Sequence, residues 1–73
     1  MKENYRCKLV GSIHFRNGRS RKFEGEIPVR GSNSLDLGAF YAENKDVNPK
    51  LLKEITGKCY DLETGEEITV WLV

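Results

Sequence analysis

From Tyr5 to Phe15 the chain alternates in character. Tyr5, Cys7, Leu9, Gly11, Ile13 and Phe15 share one parity, and Arg6, Lys8, Val10, Ser12, His14 and Arg16 share the other. A period of two is that of a strand with one face buried. Arg21 to Val29 repeats it, with Phe23, Gly25, Ile27 and Val29 set against Lys22, Glu24 and Glu26. Between the two lies Arg16-Asn17-Gly18-Arg19, a hairpin turn signal. Parity selects the turn. A loop of Asn17-Gly18 alone would pair Ile13 with Lys22 and mix apolar with polar residues on one face. A loop of Arg16-Asn17-Gly18, with Gly18 left-handed as a bulge, pairs Phe15 with Arg19, Gly11 with Phe23, Leu9 with Gly25 and Lys8 with Glu26. Each strand glycine then faces a large apolar side chain.

The pattern beyond Val29 is less regular. Gly31-Ser32-Asn33-Ser34 is a polar turn. Leu35, Leu37, Ala39 and Tyr41 share a parity that Phe40 breaks, and Leu35 to Ala42 is predicted as a third strand kinked at Gly38. Asn48-Pro49 predicts the start of a short helix, with Asn48 as N-cap, Leu51, Leu52 and Ile55 as its apolar stripe and Gly57 as its stop. Lys58 to Leu62 and Glu67 to Val73 predict a second hairpin around Glu63-Thr64-Gly65, pairing Tyr60 with Ile68 and Leu62 with Glu66. In the last segment Ile68, Val70 and Leu72 oppose Trp71 and Val73. A strand apolar on both faces is expected to be central, or to close a barrel.

The resulting order is β-β-β-α-β-β, in a single small domain over residues 1–73. The expected fold is mainly β with one short helix, either a small five-stranded barrel or a strongly curled antiparallel sheet. This element order is similar to that of the OB-fold, and an SH3-like barrel fits it nearly as well. Closure would remove exposed strand edges.

Composition bounds the function. At 73 residues, with 38% hydrophobic and 32% charged side chains, the core is small and there is no room for a nucleotide-binding α/β sheet or a second domain. No apolar run approaches the roughly 20 residues of a membrane span, and no signal peptide is read after Met1. The two cysteines, Cys7 and Cys59, form no CxxC pair, so a cytoplasmic protein with reduced thiols is the expectation. A disulfide would require the strands that carry them to be neighbours. Net charge is only +1, but its distribution is uneven. Residues 1–30 hold eight basic against three acidic side chains, and residues 31–73 hold four against eight. That asymmetry points to one cationic surface, or to two solvated faces that neutralise each other.

No catalytic constellation stands out. His14 is the only histidine, lies on the strand face opposite Cys7, and has no carboxylate in its strand to orient it. Two distant cysteines and one histidine lack the spacing of a zinc site, and Glu63, Glu66 and Glu67 lack that of a calcium loop. No cofactor and no metal are expected, and an enzyme is disfavoured. Two binding functions remain. A protein-interaction module, such as a small inhibitor or accessory subunit, would use the dipolar surface for steering and Trp71 or Tyr41 as anchor. If the last strand lies at an edge, residues 67–73 would also serve for strand addition or a homodimer. The alternative is nucleic-acid binding by the basic first hairpin, Arg16, Arg19, Arg21 and Lys22, extended by Arg6 and Lys8. An uncovered aromatic beside the cations would favour nucleic acid. An uncovered apolar edge would favour a protein.

Overall fold

The computed structural model describes residues 3–73. Two long strands, β1 (Tyr5–Phe15) and β2 (Ser20–Val29), form the first hairpin. Their register is the one that parity selects: Leu9 opposes Gly25, Gly11 opposes Phe23 and Lys8 opposes Glu26. The turn closes through Phe15 N–H to the Arg19 carbonyl (2.8 Å) and Gly18 N–H to the Phe15 carbonyl (3.1 Å). Gly18 stands at φ 85°, which a glycine adopts at no steric cost.

The middle of the chain reverses the expectation. Residues predicted as a third strand form helix α1 (Leu37–Glu43). Asp36 caps it, its carboxylate accepting from Ala39 N–H at 3.2 Å. Phe40, the residue that breaks the strand parity, is the helix's buried anchor. Leu37, Phe40 and Tyr41 stand at helical spacing and all pack on the core. Phe40 meets Phe23 of β2 with ring centroids 5.9 Å apart and its neighbour Tyr41 at 6.0 Å.

The segment predicted as a helix is a turn followed by strand β3 (Leu52–Tyr60). Asn48 does accept from Lys50 N–H, at 2.9 Å, but its side chain closes a single turn. Beyond it β3 pairs with β1, Leu9 opposite Cys59 and Ile13 opposite Ile55. The register slips between His14 and Phe15: His14 opposes Glu54, yet Phe15 opposes Leu52. The extra residue, Lys53, is a bulge. It returns Leu52 to the inner face, three positions from Ile55, so that a strand carries the spacing of a helix. Gly57 does not stop a helix. It sits directly opposite Gly11, where the backbones approach so closely that a Cβ on Gly11 would lie 1.9 Å from the Thr56 carbonyl oxygen.

The second hairpin also differs from expectation. Cys59 opposes Ile68 and Tyr60 opposes Glu67, one residue out of the predicted register. Asp61 causes the shift. Its Oδ1 accepts from the N–H groups of Glu63 (2.8 Å) and Thr64 (2.9 Å), and its N–H donates to the Glu66 carbonyl (2.8 Å). A four-residue loop results, with Gly65 at φ 75°. Strand β4 is only Glu67–Ile68, and it lies at an edge rather than at the centre.

The sheet is therefore four-stranded and antiparallel, in the order β2-β1-β3-β4. It is not closed, and the five-stranded barrel expected from sequence does not form. The predicted third strand went to the helix, and the last strand stops after two residues. The tail instead makes a single parallel bridge from Trp71 to Ser34, and Leu35 a single antiparallel one to Val29. The core lies on the inner face between sheet and helix, built from Leu9, Ile13, Ile27, Val29, Phe40, Val47 and both cysteines, among others.

Candidate interaction surfaces

The fold sorts the charge by end. Because β3 runs antiparallel to β1, its beginning lies beside the first hairpin turn. Arg16, Arg19, Arg21, Lys22, Lys50 and Lys53 thus gather at one end, with Asp46 and Glu54 as counter-charges. The second hairpin, with Asp61, Glu63, Glu66 and Glu67, occupies the other. Among the described residues Arg16, Arg19 and Lys22 are exposed and form no salt bridge. Arg21 is bonded to Asp46, which holds that carboxyl below its ordinary range.

Arg6 and Lys8 do not extend this cationic end. Both lie further down β1 and are neutralised. Arg6 makes a two-pronged pair with Glu43 of α1, at 2.8 and 2.9 Å, and a third bond to Glu26 at 3.0 Å. Its guanidinium depresses the Glu43 carboxyl and is itself raised. Lys8 opposes Glu26 in the ladder but reaches diagonally to Glu24, 3.3 Å away.

Beside the first hairpin turn lies an open groove of about 360 Å³, lined by Phe15, Asn17, Arg19, Arg21, Asp46 and Leu51, among others. Its lower wall is the turn before β3, tied to the hairpin by Arg16 N–H to the Leu51 carbonyl at 2.7 Å. Sequence reading missed this groove because it assigned residues 48–56 to a helix, which would have carried Leu51 elsewhere.

Trp71 lies at the opposite end. The residue is 74% exposed, and Val73, two positions on, is 49% exposed. Its backbone is nevertheless fixed: Trp71 N–H donates to the Asn33 carbonyl and Leu35 N–H to the Trp71 carbonyl, both at 2.8 Å. Alternation explains the exposure. Val70 and Leu72 turn inward to pack on the core, so residue 71 turns out. Tyr5 anchors Asn33 from below, its hydroxyl donating to Oδ1 at 2.7 Å. Tyr5, Asn33, Asp61, Ile68 and Thr69 line a second groove, of about 450 Å³, along this segment. Tyr41, the other candidate anchor, is half-buried against Phe40.

The remaining chemistry-bearing groups are held in the fabric of the sheet. On its outer face His14 bridges three strands, with Nδ1 2.9 Å from Ser20 Oγ and Nε2 2.9 Å from Thr56 Oγ1. Cys7 and Cys59 are free thiols, both buried on adjacent strands. Burial pushes Cys7 up to about 12 and raises Cys59, which suppresses the thiolate that any cysteine chemistry needs. Among the described residues no cluster of three or more His, Cys, Asp or Glu could hold a metal ion, and no helix is long and apolar enough to cross a membrane. No protein-family model, curated protein or solved structure matches this chain.

Proposed function

We propose that this protein is a non-enzymatic binding module for a protein partner, anchored by Trp71. The observation that carries the reading is a large, exposed indole on a backbone that is already hydrogen-bonded on both sides. Tryptophan is enriched among the few residues that dominate protein interfaces, because it removes much apolar surface from water. A pre-ordered anchor loses little entropy on binding. The groove beside Asn33 and Thr69 offers a place for a side chain of the partner. Nucleic-acid binding is the second reading, and the cations at Arg16, Arg19 and Lys22 favour it. Against it, the exposed ring and those cations lie at opposite ends, so base stacking and phosphate contacts would not coincide.

The test is retention of partner from an extract of the source cells on immobilised protein. Wild type should hold a protein that Trp71→Ala holds about 30-fold less tightly, the loss typical of an interface hot spot. Nuclease treatment should not change this. Equal retention by Trp71→Ala, or retained material that nuclease removes, would overturn the reading.

A further inference from the structure

We propose that the groove between the first hairpin turn and the turn before β3 binds an acidic segment of a protein partner that carries an apolar side chain. The groove combines two chemistries. Phe15, half-buried, and Leu51, 40% exposed, give it an apolar floor. Arg19 and Arg21 stand on its rim, Arg16 is bonded through its backbone to Leu51, and Lys50 precedes that residue. Guanidinium groups suit carboxylates, which they engage through paired hydrogen bonds. An apolar floor adds nothing to a bare run of carboxylates. It adds affinity only when the ligand brings an apolar group to cover it.

The groove is also preformed. Phe15 N–H to Arg19, Gly18 N–H to Phe15 and Arg16 N–H to Leu51 fix the backbone on both walls. Asn17 Oδ1 accepts from Arg19 N–H at 3.0 Å and orders the turn itself. The Arg21–Asp46 pair joins one wall to the other, while Arg16, Arg19 and Lys50 beside it form no salt bridge among the described residues. A phosphate backbone would use these cations as well. Nucleic acid bound to a small β surface, however, gains by stacking bases on exposed aromatic faces. Here the single aromatic of the groove is half-buried, and its exposed floor residue is a leucine.

The proposal rests on the reading of the protein as a protein-binding module but makes no use of Trp71. Fluorescence anisotropy at low salt would test it with three labelled probes. These are a short Glu-rich peptide with a central Leu, the same peptide with Ser in its place, and a single-stranded oligonucleotide of equal charge. The Leu peptide should bind wild type and Trp71→Ala alike, and at least about tenfold more weakly to Arg19→Glu and to Leu51→Asp. The Ser peptide should bind several-fold more weakly than the Leu peptide, a comparison made on wild type and so independent of how any variant folds. Equal binding of the two peptides, or no binding, would overturn the groove assignment while the Trp71 retention experiment still stood. Tighter binding of the oligonucleotide than of the Leu peptide would overturn the groove assignment and favour the nucleic-acid reading instead.

Discussion

Glycines 11 and 57 set the tightest tolerance in the molecule. A Cβ on Gly11 would lie 1.9 Å from the Thr56 carbonyl oxygen and 2.7 Å from Gly57 Cα. A Cβ on Gly57 would lie 2.5 Å from the Val10 carbonyl oxygen, on a residue at φ 143°. These contacts are with backbone, which cannot rotate away as a side chain can. Gly11→Ala and Gly57→Ala should each cost about 3 kcal/mol, at the upper end of overpacking. Gly25→Ala, whose Cβ would meet only the Phe23 ring at 3.7 Å, should change stability by less than about 1 kcal/mol. Urea unfolding of the three variants checks the order. The thiols give a pH prediction. A buried Cys7 held protonated up to about 12 keeps a proton that the unfolded chain has already released. The unfolded state then binds fewer protons than the native one, and stability falls as pH rises. The loss should set in above the ordinary thiol value near 9 and continue to about 12. Cys7→Ala should show a shallower alkaline decline, read by thermal melts across that range.

At the scale of elements, Asp36 and Asp61 have the most leverage. Each carboxylate ends or begins a structure by accepting backbone N–H groups, and those bonds lower the Asp61 carboxyl below its ordinary range. Asp36→Ala should destabilise the protein by about 1 kcal/mol, the usual value of an N-cap, measured by denaturation. The first hairpin was legible in the sequence because strict alternation and one glycine fix its register uniquely. The middle was not, for two physical reasons. In Leu37–Glu43 the parity runs on through Leu37, Ala39 and Tyr41, and only Phe40 signals a helical period. In Leu52–Tyr60 the Lys53 bulge places Leu52 and Ile55 on one face at a spacing that helices use. Local rules favoured helix there, and pairing with β1 overrode them. The second hairpin turned on whether Asp61 belongs to the strand or caps the loop, which no alternation records. Of the candidate site residues, parity set Trp71 opposite Val70 and Leu72, but apolar residues on both faces predicted a covered strand, and the exposed ring reverses that expectation because the last strand ends at Ile68 on a sheet edge. Nor could the sequence foresee that Arg6 would be taken up by Glu43, because that contact depends on the helix.

Over the whole molecule, positive and negative charge are separated. The cationic turn sits at one end of the sheet, and the acidic hairpin and Trp71 at the other. A partner drawn to either end would arrive oriented, and its association rate should fall with rising salt. Trp71 itself should report its surroundings directly. In the isolated protein its fluorescence should be quenched by acrylamide nearly as efficiently as free tryptophan's, and Trp71→Ala should leave the unfolding free energy within about 0.5 kcal/mol of wild type, as for other exposed sites.

The bridge between Trp71 and residues 33–35 means that the segment following β4 is held in place and carries no slack at Trp71. The same peptide groups that hold the indole's backbone also hold the lead-in to α1. Load placed on the ring is therefore passed to the chain that enters the helix instead of being taken up by slack. The amides of Leu35 and Trp71 should exchange with solvent as one unit, and a ligand clasping the ring should slow both together.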